Sequence, residues 1–76
     1  MYKGWTMKTF TIKKDFITLV QFLKVEGLIG SGGEARHFMD HHKITLNDQQ
    51  VTEKKKKIFA GNVLKIDEET ITFQHD

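Results

Sequence analysis

Four consecutive lysines, Lys54–Lys57, are the densest run of charge in the chain, and upstream of them stand Gly30-Ser31-Gly32-Gly33, Arg36, His37, His41 and His42. A row of ammonium groups can neutralise phosphates. A glycine-rich segment at a helix start offers backbone N–H groups to an anion, and glycines at 32 and 33 let it approach closely. Without a partner, the same lysines are a solvated run that protects a sheet edge, and the same glycines are a tight turn into a capped helix. On the residues alone, both pairs of readings stay open.

Catalytic chemistry has less to stand on. His37 and His41 are one helical turn apart, with Asp40 and His42 beside them, but a third zinc ligand is missing, as is the base of a His-Glu-x-x-His motif. They read as surface histidines favourable to a helix C-terminus, with no metal. There is no Cys to act as nucleophile, the Ser and Thr residues fall mostly at caps or in strands, and paired carboxylates such as Glu68-Glu69 fall in turns. We therefore expect no enzyme, no cofactor and no small-molecule substrate.

The elements that must position these residues come from a short chain. Seventy-six residues, 38% of them hydrophobic and including six Phe, make one small domain, with no disulfide to staple it. The longest largely apolar stretch, Phe16–Leu23, is far below the ~20 residues that cross a bilayer. No apolar signal segment opens the chain, so a cytoplasmic setting is expected. Residues 1–57 carry 11 Lys/Arg against 6 Asp/Glu, a net +5, whereas residues 58–76 carry one Lys against four acids, a net −3. That asymmetry suggests a polyanion-facing surface with an acidic edge turned elsewhere.

Residues 1–7 read as an N-terminal extension and 8–76 as the domain. Lys8–Lys13 alternates as a half-buried strand. Thr18-Leu19-Val20-Gln21 fits a capping box, Ile17 and Phe22 a hydrophobic staple, and Gly27 a left-handed stop, which predicts a helix over about 19–26. Ser31-Gly32-Gly33-Glu34 has the same capping pattern and predicts a second helix over about 32–42, with Ala35, Phe38, Met39 and His42 inward and Arg36, His37, Asp40 and Lys43 toward water. Ile44–Leu46, Val51-Thr52, Val63–Ile66 and Thr70–Gln74 read as strands. Turns fall at Asn47-Asp48, Ala60–Asn62 and Asp67–Glu69, and Glu53–Lys57 reads as a solvated loop or edge strand. The order β-α-α-β-β-β-β predicts an α+β domain, a two-helix hairpin packed on a small antiparallel β-sheet.

The segment Ser31-Gly32-Gly33-Glu34-Ala35-Arg36, followed by Ile44-Thr45-Leu46-Asn47, resembles the S4 RNA-binding domain, whose second helix opens on Ser-Arg-x-x-Ala-Arg and is followed by a Val-x-Val-Asn-Gly hairpin. Adding Thr18-Leu19-x-Gln21-Phe22-Leu23-Lys24, the basic run and Lys57-Ile58-x-x-Gly61, the chain is similar over about residues 15–66 to the small, single-domain YaaA-type branch. The general pattern has Arg where this chain has Thr18 and Gly32, and Gly where it has His42 and Asp48; Lys54–Lys57 stand to supply the missing charge.

The resemblance implies an S4-like fold and a non-catalytic RNA-binding module, with structured RNA, ribosomal RNA among the candidates, as partner. The residues it points to are Lys24, Ser31, Gly32, Gly33, Arg36, His37, Lys43, Asn47 and Lys54, Lys55, Lys56 and Lys57. Lysines make point-like phosphate contacts without the arginine fork, which implies recognition of backbone and shape. The expected state is a monomer. The alternative is a protein-interaction module that kept the fold and lost the RNA, engaging a basic surface through Asp67–Glu69 or associating through an exposed strand edge.

Overall fold

The computed structural model describes residues 6–76. The elements in chain order are β1 (Thr6–Ile12), β2 (Ile17–Thr18), α1 (Leu19–Val25), a 3-10 turn (Gly32–Glu34), α2 (Ala35–His41), β3 (Ile44–Leu46), β4 (Gln49–Gln50), β5 (Lys57–Ile58), β6 (Val63–Ile66) and β7 (Glu69–His75). β1 starts at Thr6, so the expected boundary at residue 8 falls inside a strand; the rest of the expected extension, 1–5, lies outside the described residues.

Five strands form one sheet in the order β1-β7-β6-β3-β4, and β2 and β5 form a separate two-stranded ladder. The expected all-antiparallel sheet is corrected: β1 and β7 run parallel, with Phe10 beside Phe73, and the other ladders of the sheet are antiparallel, so it is mixed. Alternation then sorts the side chains. Ile12, Ile44, Leu46, Leu64, Ile66, Ile71 and Phe73 are buried with Leu19, Phe22, Leu23 and Ala35 of the helices. The other face carries polar residues such as Thr9, Lys65, Thr72 and Gln74, all exposed. Phe22 of α1 sits edge-on to both sheet rings, 5.1 Å from Phe10 and 5.2 Å from Phe73. Such pairs add roughly 0.5–1.5 kcal/mol each beyond area burial, which matters in a core this small.

α1 starts and stops as its sequence dictates. The Thr18 hydroxyl accepts from Gln21 N–H at 3.3 Å, and Gln21 Oε1 accepts from Thr18 N–H at 3.0 Å. At the other end Gly27 takes φ +76°, Gly27 N–H donates to Lys24 and Leu28 N–H to Leu23, the paired bonds of a left-handed helix stop. Lys8 of β1 pairs with Glu26, tying that end to the sheet.

The second helix departs from expectation. Residues 32–34 are a 3-10 turn and the α-helix proper begins at Ala35, because two adjacent glycines lack the side chains that would hold a first α-turn. Ser31 makes no side-chain cap bond. His42, expected inward, has left the helix with φ −136° and is exposed. Asn47 and Asp48 both take positive φ, 51° and 71°, and close a two-residue hairpin whose return strand is Gln49–Gln50, two residues before the expected Val51.

Candidate nucleic-acid interface

The basic run is a loop fastened by its backbone. Val20 N–H donates to the Lys54 carbonyl at 2.8 Å and Leu19 N–H to the Lys56 carbonyl at 2.9 Å. Those amides are orphan donors of the first turn of α1, so the loop caps the helix while its four side chains stay exposed. Beyond the loop, Lys57 and Ile58 pair with Thr18 and Ile17, which fixes its exit.

The start of the second helical segment lies against the same place. Gly32 packs on Val20, where an added Cβ would meet Val20 Cγ2 at 3.9 Å, and Lys54 Nζ donates to the Gly32 carbonyl at 3.4 Å. One turn further on, Arg36 is exposed with no hydrogen bond or ion pair among the described residues. Lys54–Lys57, Gly32 and the first turn of α2 are thus gathered on one side of α1.

Other members of the expected set are placed differently. The anion cradle at 30–33 is partly filled by the chain itself, since Glu34 Oε1 accepts from Gly30 N–H at 2.8 Å. Asn47 is committed to the fold: its Oδ1 accepts from Val63 N–H at 2.9 Å and its own N–H donates to the Val63 carbonyl at 2.8 Å. The His37 ring lies against His41 with centroids 4.2 Å apart, and His41 Nδ1–H donates to the His37 carbonyl at 2.9 Å. Lys43 lies beyond the C-terminus of α2, lining a shallow hollow with Lys65, Asp48 and Asp67. There Asp67 accepts from His42 Nδ1–H at 2.6 Å and from Lys43 N–H at 3.0 Å, which holds its carboxyl below the usual carboxylate range, the His42 bond contributing most. Lys65 sits 3.7 Å from Asp48.

Lys24 points to residues that reading along the chain overlooked. It lines an open groove of about 450 Å³ between the end of β1 and α1, with Lys13 and Lys14 on its rim and Phe10, Phe16 and Val25 among its walls. Lys57 Nζ lies 4.9 Å from the centre of the Phe16 ring, which in turn contacts Phe59 at 5.7 Å. The adjacency Lys13-Lys14-Asp15-Phe16, basic next to aromatic, was the available signal.

Against known proteins, the model of the S4 domain family matches residues 10–74. The chain is also 37% identical over 57 residues to the probable ribosome maturation protein RlbA of Bacillus subtilis (strain 168), across 75% of this chain and 80% of that protein. Among the described residues, no helix is long and apolar enough to cross a membrane.

Proposed function

The chain belongs to the S4 domain family, and from that premise we propose that it is a non-catalytic module that binds the phosphate backbone of a structured RNA through Lys54–Lys57 and the first turn of α2. The observation that carries the reading is the fastening of the basic loop: two carbonyls of the run, Lys54 and Lys56, cap α1, so the lysines are displayed at fixed positions instead of trailing in solvent. Preordering lowers the entropy lost on binding. Arg36, exposed and without a partner among the described residues, supplies the bidentate donor that lysine lacks.

The proposed partner is RNA of an assembling ribosome, which similarity to a probable ribosome maturation protein supports; the proposed setting is cytoplasmic, with the protein acting as a monomer. Recognition of this kind reads A-form shape and phosphates, not base sequence. The protein-interaction alternative loses ground at its acidic edge, where both carboxylate oxygens of Asp67 are already engaged by His42 and Lys43.

A salt-series titration against structured ribosomal RNA fragments, single-stranded RNA and duplex DNA tests the proposal. Neutralising about four to six phosphates gives log affinity against log salt a slope near −3 to −5, at ~0.7–0.9 per phosphate. Preference for structured RNA with that slope is the expected result; affinity independent of salt would sink it.

A further inference from the structure

We propose that the groove between β1 and α1 is a second subsite, which takes an unpaired nucleotide of the RNA held by the basic loop. This rests on the RNA-binding reading above and adds a preference that phosphate contacts alone cannot give.

The groove combines features that suit a nucleotide. Its walls include Phe10, Phe16 and Val25, and Val25 is 65% exposed, an apolar side chain left uncovered beside the exposed Gln21 and Lys24. Its volume of about 450 Å³ lies within the roughly 300–1,000 Å³ of small-ligand sites. Phe16 and Phe59 make an aromatic corner, and Phe59 is held in place: its N–H donates to Asn62 Oδ1 at 2.9 Å and its carbonyl accepts from Asn62 N–H at 3.0 Å. Phe59 nevertheless remains 45% exposed. Aromatic rings beside a positive track are how proteins hold unstacked bases.

Charge selects an anion. Lys13, Lys14 and Lys24 line the groove and Lys57 lies over Phe16. The nearby carboxylates are Asp15, exposed in the loop, and Glu26, which is neutralised by Lys8. Gln21 also lines the groove; its Oε1 is fixed by Thr18 N–H, which leaves the amide NH2 to donate to a base edge. Lys57 makes the groove continuous with the basic run, so a strand leaving a helix bound at Lys54–Lys57 is led onto Phe16. That continuity favours a nucleotide over an acidic aromatic peptide.

The test uses the full chain at one salt concentration, with a blunt RNA stem and the same stem carrying a three-nucleotide single-stranded overhang with 2-aminopurine in it. The wild type is expected to bind the overhang form about 5- to 150-fold more tightly, the range of one stacked base, with a change in 2-aminopurine fluorescence. Val25→Glu, an exposed change that places a carboxylate in the groove, should erase that preference and leave blunt-stem affinity within about twofold. Phe16→Leu should remove the fluorescence change and Phe16→Tyr restore it. Equal affinity for the two RNAs, or a preference that survives Val25→Glu, overturns the subsite while blunt-stem binding keeps the RNA reading. Absence of binding to either RNA overturns both. An acidic aromatic peptide that binds the wild type, loses affinity on Val25→Glu and leaves the overhang without effect would reassign the groove to a protein.

Discussion

Two lysine-bearing surfaces of this molecule differ in what surrounds the charge. At Lys54–Lys57 two backbone carbonyls, those of Lys54 and Lys56, are bonded to α1 while the side chains stay exposed, Lys54 touching a carbonyl and Lys57 a ring. At Lys43 and Lys65 the lysines share a hollow with Asp48 and Asp67, and Lys65 lies 3.7 Å from Asp48. Local neutralisation makes the second surface a poor partner for a polyanion, although its lysines are as exposed as the first set. Four ammonium groups with no carboxylate partner among the described residues raise the local potential together, whereas alternating charges cancel within a Debye length of ~10 Å. Lysine content therefore does not distinguish the proposed interface from the hollow; the lack of ion pairing at Lys54–Lys57 among the described residues does.

The comparison breaks most readily on the four lysines together. Replacing Lys54–Lys57 by Gln should reduce RNA affinity by orders of magnitude and flatten the salt slope by about 3, since each lost phosphate contact removes ~0.7–0.9. Replacing Lys43 and Lys65 by Gln should change affinity by less than about threefold. Equal losses from the two variants in parallel titrations would show that the hollow is part of the interface. Arg36→Glu comes next: one reversed charge at the only arginine should cost tenfold or more in affinity, with thermal stability nearly unchanged because surface substitutions fall within about ±0.5 kcal/mol. If melting temperature falls along with affinity, Arg36 is structural.

Thr18→Ala sharpens the comparison from the scaffold side. It removes the hydroxyl that caps α1 directly beside the amides on which the lysine loop hangs. Loss of such a cap costs about 0.5–2 kcal/mol, roughly 4–8 °C of melting temperature per kcal/mol in a domain of this size. Affinity should fall only severalfold, as the loop is loosened and no charge is lost. A calorimetric scan and a single titration of the same sample separate the two effects.

What the sequence made legible was local. The Thr18–Gln21 box, the Gly27 stop and the left-handed pair Asn47-Asp48 each depend on side chains a few residues apart, and each forms as its chemistry requires. Ser31–Glu34 has the same letters as a capping box and does not close as one; with Gly32 and Gly33 between them, Glu34 turns to the Gly30 amide instead. The parallel pairing of β1 with β7 and the two-residue β2–β5 ladder join segments far apart in the chain, and no local period reports them. The candidate site divides similarly. The lysine run stood out by composition, but its attachment to α1 uses main-chain carbonyls, which any residue possesses. Lys13 and Lys14 become neighbours of Lys24 once α1 packs beside β1, and Phe16 meets Phe59 and Lys57 once β2 has paired with β5.

The smallest effect concerns the clasp that keeps the second surface neutral. Asp67 takes φ 54° in the β6–β7 turn, and its carboxylate is held by His42 Nδ1–H and Lys43 N–H. Its folded pKa is therefore lowered from the ordinary 3.8, first by the His42 bond and then by the Lys43 amide. A group whose pKa is depressed by folding contributes stability above its unfolded value and loses it as pH falls through the folded one. The pair is exposed, so the contribution should stay below about 1 kcal/mol. Asp67→Asn keeps a residue tolerant of positive φ and removes the titration. The melting-temperature gap between wild type and this variant, small at pH 7, should close as pH falls below 3.8. A gap that is constant down to pH 2 would mean that ionisation of Asp67 contributes nothing to the clasp, and that Asp67 cancels charge on Lys43 and Lys65 without holding the turn. In that event Asp67→Asn should raise RNA affinity at the hollow, with Asp48 left as the carboxylate beside Lys65.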